Sequence, residues 1–85
     1  MTTEDKIKAL FIEILEVNPE DVTTTISFFE LGGNSIQALQ LVNRINNNFN
    51  TEIKLHLLFR NSNIELLTAL INEDSSSDES ITLKI

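Results

Sequence analysis

The sequence contains no cysteine, which excludes disulfides, cysteinyl metal sites and a cysteine nucleophile. Any thioester chemistry therefore needs a sulfur atom from a cofactor. Only two glycines and one proline are present, a composition that favours helices over a turn-rich β fold. No apolar run approaches membrane-spanning length, and the amino terminus does not resemble a signal peptide. We therefore expect a cytoplasmic protein.

With 85 residues, the chain is long enough for one small domain with a single core. Its formal net charge is −7, and such a surface repels phosphate backbones, so nucleic acid is a poor partner. The sequence offers no membrane-binding segment either. We expect a monomer, and the position of Met1 close to the first helix favours a free-standing protein.

Part of the negative charge lies at the carboxyl end of the chain. Residues 73–85 contain four acids against a single lysine, Lys84. The serine-rich and acid-rich run that begins at Asp74 is typical of a flexible segment. The sequence therefore predicts a folded domain over residues 1–73 and a flexible acidic tail over residues 74–85.

Apolar residues recur at helical spacing along most of the chain. They predict a first helix from Thr3 to Val17, capped by Thr2 or Thr3, and a second that begins near Asn34 or Ser35. A short helix is predicted at residues 55–59. The last helix should begin with the capping-box pattern Ser62-x-x-Glu65.

These elements make an all-α fold, with three main helices, one short helix and a long loop between helices one and two. A core this small depends on its phenylalanines. We expect the interior to contain Phe11, Phe49 and at least one of Phe28 and Phe29.

The long connection over residues 18–34 ends in Gly32-Gly33-Asn34, directly before Ser35. Long ordered loops in compact domains are usually functional. A serine in the first turn of a helix presents its hydroxyl outward, and the free N–H groups there favour a phosphate diester. The pattern suits a covalent attachment point. It also suits a plain helix cap after a glycine turn, so the pattern alone leaves both interpretations open.

Two aliphatic residues on the second helix, Ile36 and Leu39, fall off the apolar stripe that contains Ala38 and Leu41. Exposed aliphatic side chains beside Ser35 indicate a docking patch. Scattered exposed apolar residues are equally common on protein surfaces, so this observation is open to both interpretations.

Catalysis by the chain itself is not indicated. The single histidine, His56, has no serine or acid placed by sequence to form a triad with it. The acidic pairs are more typical of helix starts and tail charge than of metal ligands, and no loop has calcium-ligand spacing. We predict neither a catalytic site nor a metal site.

The run from Ser27 to Ile36, SFFELGGNSI, resembles the hallmark of the carrier-protein family, in which a double phenylalanine precedes Leu-Gly-Gly-x-Ser. The resemblance extends from about Ile7 to Ile71 and is strongest to peptidyl carrier proteins of nonribosomal peptide synthesis. It implies a small four-helix carrier bundle and 4′-phosphopantetheine on Ser35, transferred from coenzyme A by a phosphopantetheinyl transferase.

The resemblance also implies the partners. An adenylation enzyme or domain would load the thiol of the arm, and condensation, tailoring or thioesterase enzymes would take the cargo. The chain departs from the family pattern at Ile26-Ser27, where an acid is usual, and at Asn34, where the family usually has Asp or His. These departures concern the choice of transferase and partner.

The second helix separates the subfamilies. Fatty-acid carriers have acid-rich second helices, whereas residues 35–51 here contain no acid, and Arg44 is their only charge. This favours a peptidyl carrier and leaves a polyketide-type acyl carrier as the alternative. A plain interaction domain is the competing class, and an acidic hydrolase has little support. The residues predicted to dock partners are Asn34, Ile36, Leu39, Gln40, Asn43 and Leu57.

Overall fold

The computed structural model describes the backbone of residues 2–84 and the side chains of residues 2–74. Its four α-helices are α1 (Thr3–Leu15), α2 (Ser35–Phe49), α3 (Leu55–Arg60) and α4 (Ile64–Lys84), and a 3₁₀ turn covers Pro19–Asp21. Residues 2–84 contain no strand. The predicted order of long, long, short and long helices is therefore confirmed.

Helix α1 begins at a capping box in which the Asp5 N–H donates to Thr2 Oγ1 (3.1 Å) and the Thr2 N–H donates to Asp5 Oδ2 (3.4 Å). It ends before the predicted Val17, because Glu16 adopts a left-handed backbone (φ 54°) and donates its N–H to the Ile12 carbonyl. Periodicity cannot show such a cap, since the apolar spacing continues past it.

The core is built from the apolar stripes of all four helices and from three loop residues. Phe11 and Phe28 are fully buried, as expected. Phe49 is only half buried, because it lies at the end of α2 with Lys6 Nζ 5.7 Å from the centre of its ring. The buried apolar residues are Ile7, Leu10, Phe11, Val22, Phe28, Ala38, Leu41, Val42, Ile45, Ile53, Leu58, Ile64, Leu67 and Ile71.

A row of four aromatic rings connects the α1–α2 loop to the core. Phe28 packs edge-on against Phe11 (centroids 5.1 Å apart), and Phe29 packs edge-on against Phe28 (5.6 Å). Phe29 then stacks on Phe59 of α3 (5.2 Å, 13° between the planes). Edge-to-face and offset pairs are the favoured aromatic geometries. The row therefore fixes the loop just before Gly32-Gly33.

Hydrogen bonds fix the same loop to the start of α4. The Phe28 N–H donates to the Ser62 carbonyl (2.7 Å), and the hydroxyls of Ser27 and Ser62 lie 3.0 Å apart. The predicted Ser62 capping box is therefore wrong, because Ser62 bonds to the loop instead. Asn63 caps α4: its Oδ1 accepts from the Leu66 N–H at 2.8 Å.

The side chain of Asn46 makes three hydrogen bonds to the α2–α3 connection. Asn46 Oδ1 accepts from the Ile53 N–H (2.9 Å) and from Thr51 Oγ1 (2.8 Å), while its Nδ2 donates to the Ile53 carbonyl (3.0 Å). On the outside of the bundle, Arg44 Nη2 of α2 contacts both carboxylate oxygens of Glu13 of α1 at 2.8 and 2.9 Å. Together these contacts hold α2 against its neighbours on both sides.

Helix α4 continues well past the last core residue that the structure describes. Ile71 is the last buried residue among the described side chains, and the helical backbone continues to Lys84. The helix thus crosses the predicted domain boundary at residue 74 without a break. Whether residues 74–85 form a flexible tail stays a prediction, and Ile85 lies outside the described residues. None of the helices in the described part of the chain is long and apolar enough to cross a membrane.

Candidate attachment site

The two glycines bring the loop into close contact with the core just before Ser35. Gly32 has φ +100°, a conformation that side-chain-bearing residues rarely adopt. A Cβ on Gly33 would lie 2.5 Å from the Phe28 ring, and the Gly33 N–H donates to the Phe28 carbonyl at 3.1 Å. Both positions therefore require glycine, for different reasons, and the tight turn predicted from the sequence is present.

Asn34 is the N-cap of α2, and Ser35 is the first helical residue. Asn34 Oδ1 accepts from the Gln37 N–H (2.8 Å), and Gln37 Oε1 accepts from the Asn34 N–H (3.0 Å). Each side chain thus satisfies a backbone donor that a helix start leaves free. The cap is therefore real, and it belongs to Asn34, which leaves the hydroxyl of Ser35 uninvolved in capping.

The head of α2 fits a phosphate diester on Ser35. Ser35 is exposed, and the N–H groups of Ser35 and Ile36 make no backbone hydrogen bond within residues 2–84. The first turn of α2 also contains no acid. Free N–H groups and the positive end of a helix dipole favour an anionic oxygen at this place.

The predicted docking residues lie on two helices. Ile36 and Leu39 are the most exposed large apolar residues of α2, at 71% and 48% of their full accessible surface. Asn34, Gln40 and Asn43 are also exposed. Leu57 differs, because it lies on α3, is half buried and packs against the core. That these six residues dock partners stays a prediction.

Residues 5–71 match a protein-family model described as "Phosphopantetheine attachment site". The chain belongs to this family of phosphopantetheine-bearing carriers. Its group is covalent 4′-phosphopantetheine, and its members shuttle intermediates between other enzymes or domains. Proteins of this family and fold are generally non-catalytic.

The carrier is 33% identical over 81 residues to bacitracin synthase 1 of Bacillus licheniformis, a match that covers 95% of this chain but 2% of that protein. The carrier thus spans a very small part of this relative. Among solved structures, it resembles McyG A-PCP complexed with phenylalanyl-adenylate. There the TM-score is 0.77 at 30% identity, over 84% of this chain and 11% of the other.

A second solved structure matches more of the carrier. It is a non-covalent extended docking domain complex of the Pax nonribosomal peptide synthetase, PaxA T1-CDD/PaxB NDD. The TM-score is 0.80 at 28% identity, over 99% of this chain and 85% of the other. Carrier domains of nonribosomal peptide synthetases interact with adenylation, condensation and other domains.

Two features of the carrier's site were not predicted from its sequence. Phe59 is 47% exposed although it stacks on Phe29, so it adds an apolar surface next to the loop. Gln37 completes the capping box of α2, and the spacing Asn34-x-x-Gln37 is the signal that could have revealed it.

His56 is exposed, and no three acidic or histidine side chains of the described residues come together as metal ligands.

Proposed function

We propose that Ser35 carries the phosphopantetheine, and that the arm holds aminoacyl or acyl groups as thioesters in nonribosomal peptide or hybrid polyketide biosynthesis. The observation that carries the proposal is an exposed hydroxyl at the capped head of α2, after two obligatory glycines. Bacitracin synthase 1 and both solved structures above point to peptide synthetases. The absence of cysteine supports the scheme, since the chain offers no competing thiol.

The other serine and threonine hydroxyls of residues 5–71, the region that matches the family model, are less suited to attachment than that of Ser35. Ser27 and Ser62 bond to each other across the loop, and Thr51 donates to Asn46. The hydroxyl of Thr68 is buried and has no partner among the described residues. Only the threonines of residues 23–25 share the exposure of Ser35, and they lie in the α1–α2 loop, not in the first turn of a helix.

The attachment reaction exchanges a phosphoanhydride bond of coenzyme A for a phosphate ester bond to Ser35. The Ser35 oxygen forms a bond to the phosphorus that bears pantetheine in coenzyme A, and the bond from that phosphorus to the 3′,5′-adenosine bisphosphate breaks. The serine proton leaves to a base of the phosphopantetheinyl transferase. The part of this chain is to present the hydroxyl and to place free N–H groups beside the new anionic diester.

The proposed role is that of a non-catalytic, monomeric carrier that an adenylating enzyme loads and that condensing, tailoring or releasing enzymes unload. Docking would use the exposed α2 residues Ile36, Leu39, Gln40 and Asn43, with Asn34 and Leu57 at the edges. The cytoplasmic location expected from the sequence stays a prediction.

Intact mass spectrometry tests the attachment. After incubation with coenzyme A and a broad-specificity transferase, the mass of the wild-type chain should rise by one phosphopantetheinyl group. Ser35→Ala should abolish the gain, whereas Thr25→Ala, which removes another exposed hydroxyl, should keep it. An unchanged wild-type mass with several transferases would favour a plain interaction domain, and a gain that survives Ser35→Ala would place the group elsewhere.

A second role is favoured by the share of this chain that the Pax structure matches. The McyG match covers 84% of this chain, whereas the match to the structure that includes docking domains covers 99%. Helix α4 likewise continues to Lys84, past Ile71, which is the last buried residue among the described side chains. We propose that the acidic segment 74–85 is a docking segment for another synthetase protein.

Calorimetry can test this second role. Full-length chain and a chain that ends at Asp74 would be titrated with the amino-terminal docking segment of a synthetase from the same host. Binding that needs residues 75–85 supports the proposal, and equal binding or no binding by both chains overturns it. The mass test of Ser35 is unaffected by either outcome.

A further inference from the structure

The charges of this chain are unevenly distributed along its sequence. Residues 53–64, which contain α3 and the turns on either side of it, include two cationic residues, Lys54 and Arg60, and no acid. The rest of the chain holds all 13 acids and the remaining lysines and arginine. Helix α3 is therefore the one positive segment of a strongly acidic protein.

The exposed face of α3 combines this charge with an aromatic ring. His56, Phe59 and Arg60 are spaced i, i+3 and i+4, which places them on one side of the helix, and all three are exposed. Lys54, directly before the helix, is exposed as well. The ring of Phe59 is held in place because it stacks on Phe29 of the loop. These four residues of and beside α3 are called the α3 strip: Lys54, His56, Phe59 and Arg60.

The fold gains little from the two cations of the α3 strip. Lys54 is the N-cap of α3, where its side chain makes no capping hydrogen bond and its charge opposes the helix dipole. Arg60 suits the carboxyl end of the helix. Among the side chains of residues 2–74, however, the ion pair is that of Glu13 with Arg44, and neither cation of the strip has an acidic partner. Both charges can therefore pair with another molecule.

The α3 strip is connected by contacts to the segment that leads to Ser35. Phe59 stacks on Phe29, which packs edge-on against Phe28. A Cβ on Gly33 would lie 2.5 Å from the Phe28 ring, so this series of contacts ends two residues before Ser35. A protein that acts on a group attached to Ser35 can therefore contact the strip at the same time.

We propose that the α3 strip is a docking surface for the adenylating enzyme that loads the arm, and that this enzyme presents carboxylates beside an apolar recess. The role rests on the proposed attachment at Ser35. Lys54 and Arg60 pair with the carboxylates, and the ring of Phe59 enters the recess. Aromatic and arginine side chains are the types that contribute most at protein interfaces.

A protein partner fits the α3 strip better than a nucleic acid or an anionic membrane does. Those two are extended and negative throughout, so they would also face Glu52 and Glu65, the exposed acids that flank residues 53–64, and would be repelled. An acidic patch on a protein is local and can face the strip alone. Charge complementarity of this kind speeds association and selects between partners.

The double substitution Lys54→Glu/Arg60→Glu tests the charge of the strip. With the adenylating enzyme that loads the modified wild-type carrier, the KM for the carrier should rise about tenfold at low salt, with little change in kcat. At about 0.5 M salt, where the screening length is about 4 Å, wild type and variant should converge. Phe59→Ala should also raise the KM, but this effect should persist at high salt because it removes an apolar contact.

The matched control is Lys6→Glu/Lys8→Glu, which makes the same change of total charge on α1. Its KM should stay within about twofold of that of the wild type. Thermal melts by circular dichroism check that each variant is folded. If the double glutamate variant loses helix, the milder pair Lys54→Gln/Arg60→Gln gives the same comparison, with an expected rise of about threefold.

Carbodiimide coupling tests the chemistry of the partner directly, because it joins an amine and a carboxylate as an amide and takes up the water that is lost. Lys54 Nζ of the wild-type carrier should couple to an aspartate or glutamate of the adenylating enzyme. The variant Lys54→Arg keeps the charge but has no amine, so it should be loaded normally and lose this cross-link.

Three results would overturn the role of the α3 strip. The first is a double variant that is loaded as well as the wild type at low salt, and the second is an equal rise in KM in the α1 control. The third is unchanged loading together with lost binding to nucleic acid or to vesicles of anionic lipid, which would assign the strip to a polyanion. Failure of the attachment proposal looks different, because the wild-type chain itself would then gain no mass at Ser35.

Discussion

The two faces of α2 differ in burial and in side-chain chemistry, although residues of both faces are interspersed along the same 15-residue helix. One face is buried in the core and purely aliphatic. The other is exposed, has two aliphatic residues at its start and continues in neutral amides. The buried face comprises Ala38, Leu41, Val42 and Ile45; the exposed face comprises Ile36, Leu39, Gln40, Asn43 and Asn47.

This difference separates stability from recognition within one element. Burial of apolar area stabilises the fold, so substitutions on the inner face act mainly on the free energy of unfolding. Side chains on the outer face make few contacts within the chain, so substitutions at the docking residues predicted there should act on partner enzymes, whereas Asn47 lies outside that predicted set. The comparison can be tested with pairs of variants that remove similar groups from opposite faces.

The largest effect is expected from the pair Leu41→Ala and Leu39→Ala. Leu41 is fully buried, and its truncation should lower the free energy of unfolding by about 2–5 kcal/mol. Leu39 is 48% exposed, and its truncation should cost about 0.5 kcal/mol or less. Urea denaturation followed by circular dichroism measures both. Similar losses for the two variants would show that the faces are assigned wrongly.

A smaller effect is expected from Ile36→Asp, which changes the most exposed apolar residue of α2. The free energy of unfolding should change by only about 0.5 kcal/mol. Transfer of cargo from a loading enzyme should fall about tenfold or more if Ile36 is central to docking. Rates of thioester formation with the modified carrier provide the measurement, and Asn47→Ala is the control. Loss of helix content in Ile36→Asp would instead show that this residue supports the fold.

The smallest effect is expected from Arg44→Ala at the border between the two faces. Arg44 bonds to both oxygens of Glu13, but both side chains are about half exposed (43% and 58%). Exposed ion pairs contribute about 1 kcal/mol or less, and salt weakens them. Thermal melts of wild type and variant at low and high salt should converge as salt rises. A larger, salt-independent loss would mean that Arg44 acts through the packing of its aliphatic stem.

The helices and the glycine turn before Ser35 could be predicted from the sequence because local patterns determine them. Apolar spacing predicted α1 and α2, and Gly32-Gly33 before a cap and a serine predicted the turn at the head of α2. The start of α4 was not accessible in this way. Ser62 has the local pattern of a cap, but it bonds to Ser27 and Phe28, which lie more than thirty residues earlier in the chain. Contacts over such distances leave no periodic signal.

The same limit applies to burial at helix ends. Phe49 follows the apolar stripe of α2, yet it is only half buried because it is the last residue of the helix, with Lys6 Nζ 5.7 Å from the centre of its ring. Phe59 was missed for the converse reason, since its exposure depends on where the loop ring of Phe29 stacks. Periodicity predicts which side of a helix faces inward, and the neighbouring segments decide how much is covered.

The row of rings from Phe11 to Phe59 has a consequence for how cargo travels. Four phenylalanines in contact restrict the motion of the loop before Ser35, the proposed attachment residue. Delivery to successive enzymes must then come from rotation about the single bonds of the pantetheine chain, and from tumbling of the whole protein. The loop itself would stay fixed relative to the helices while the pantetheine chain moves.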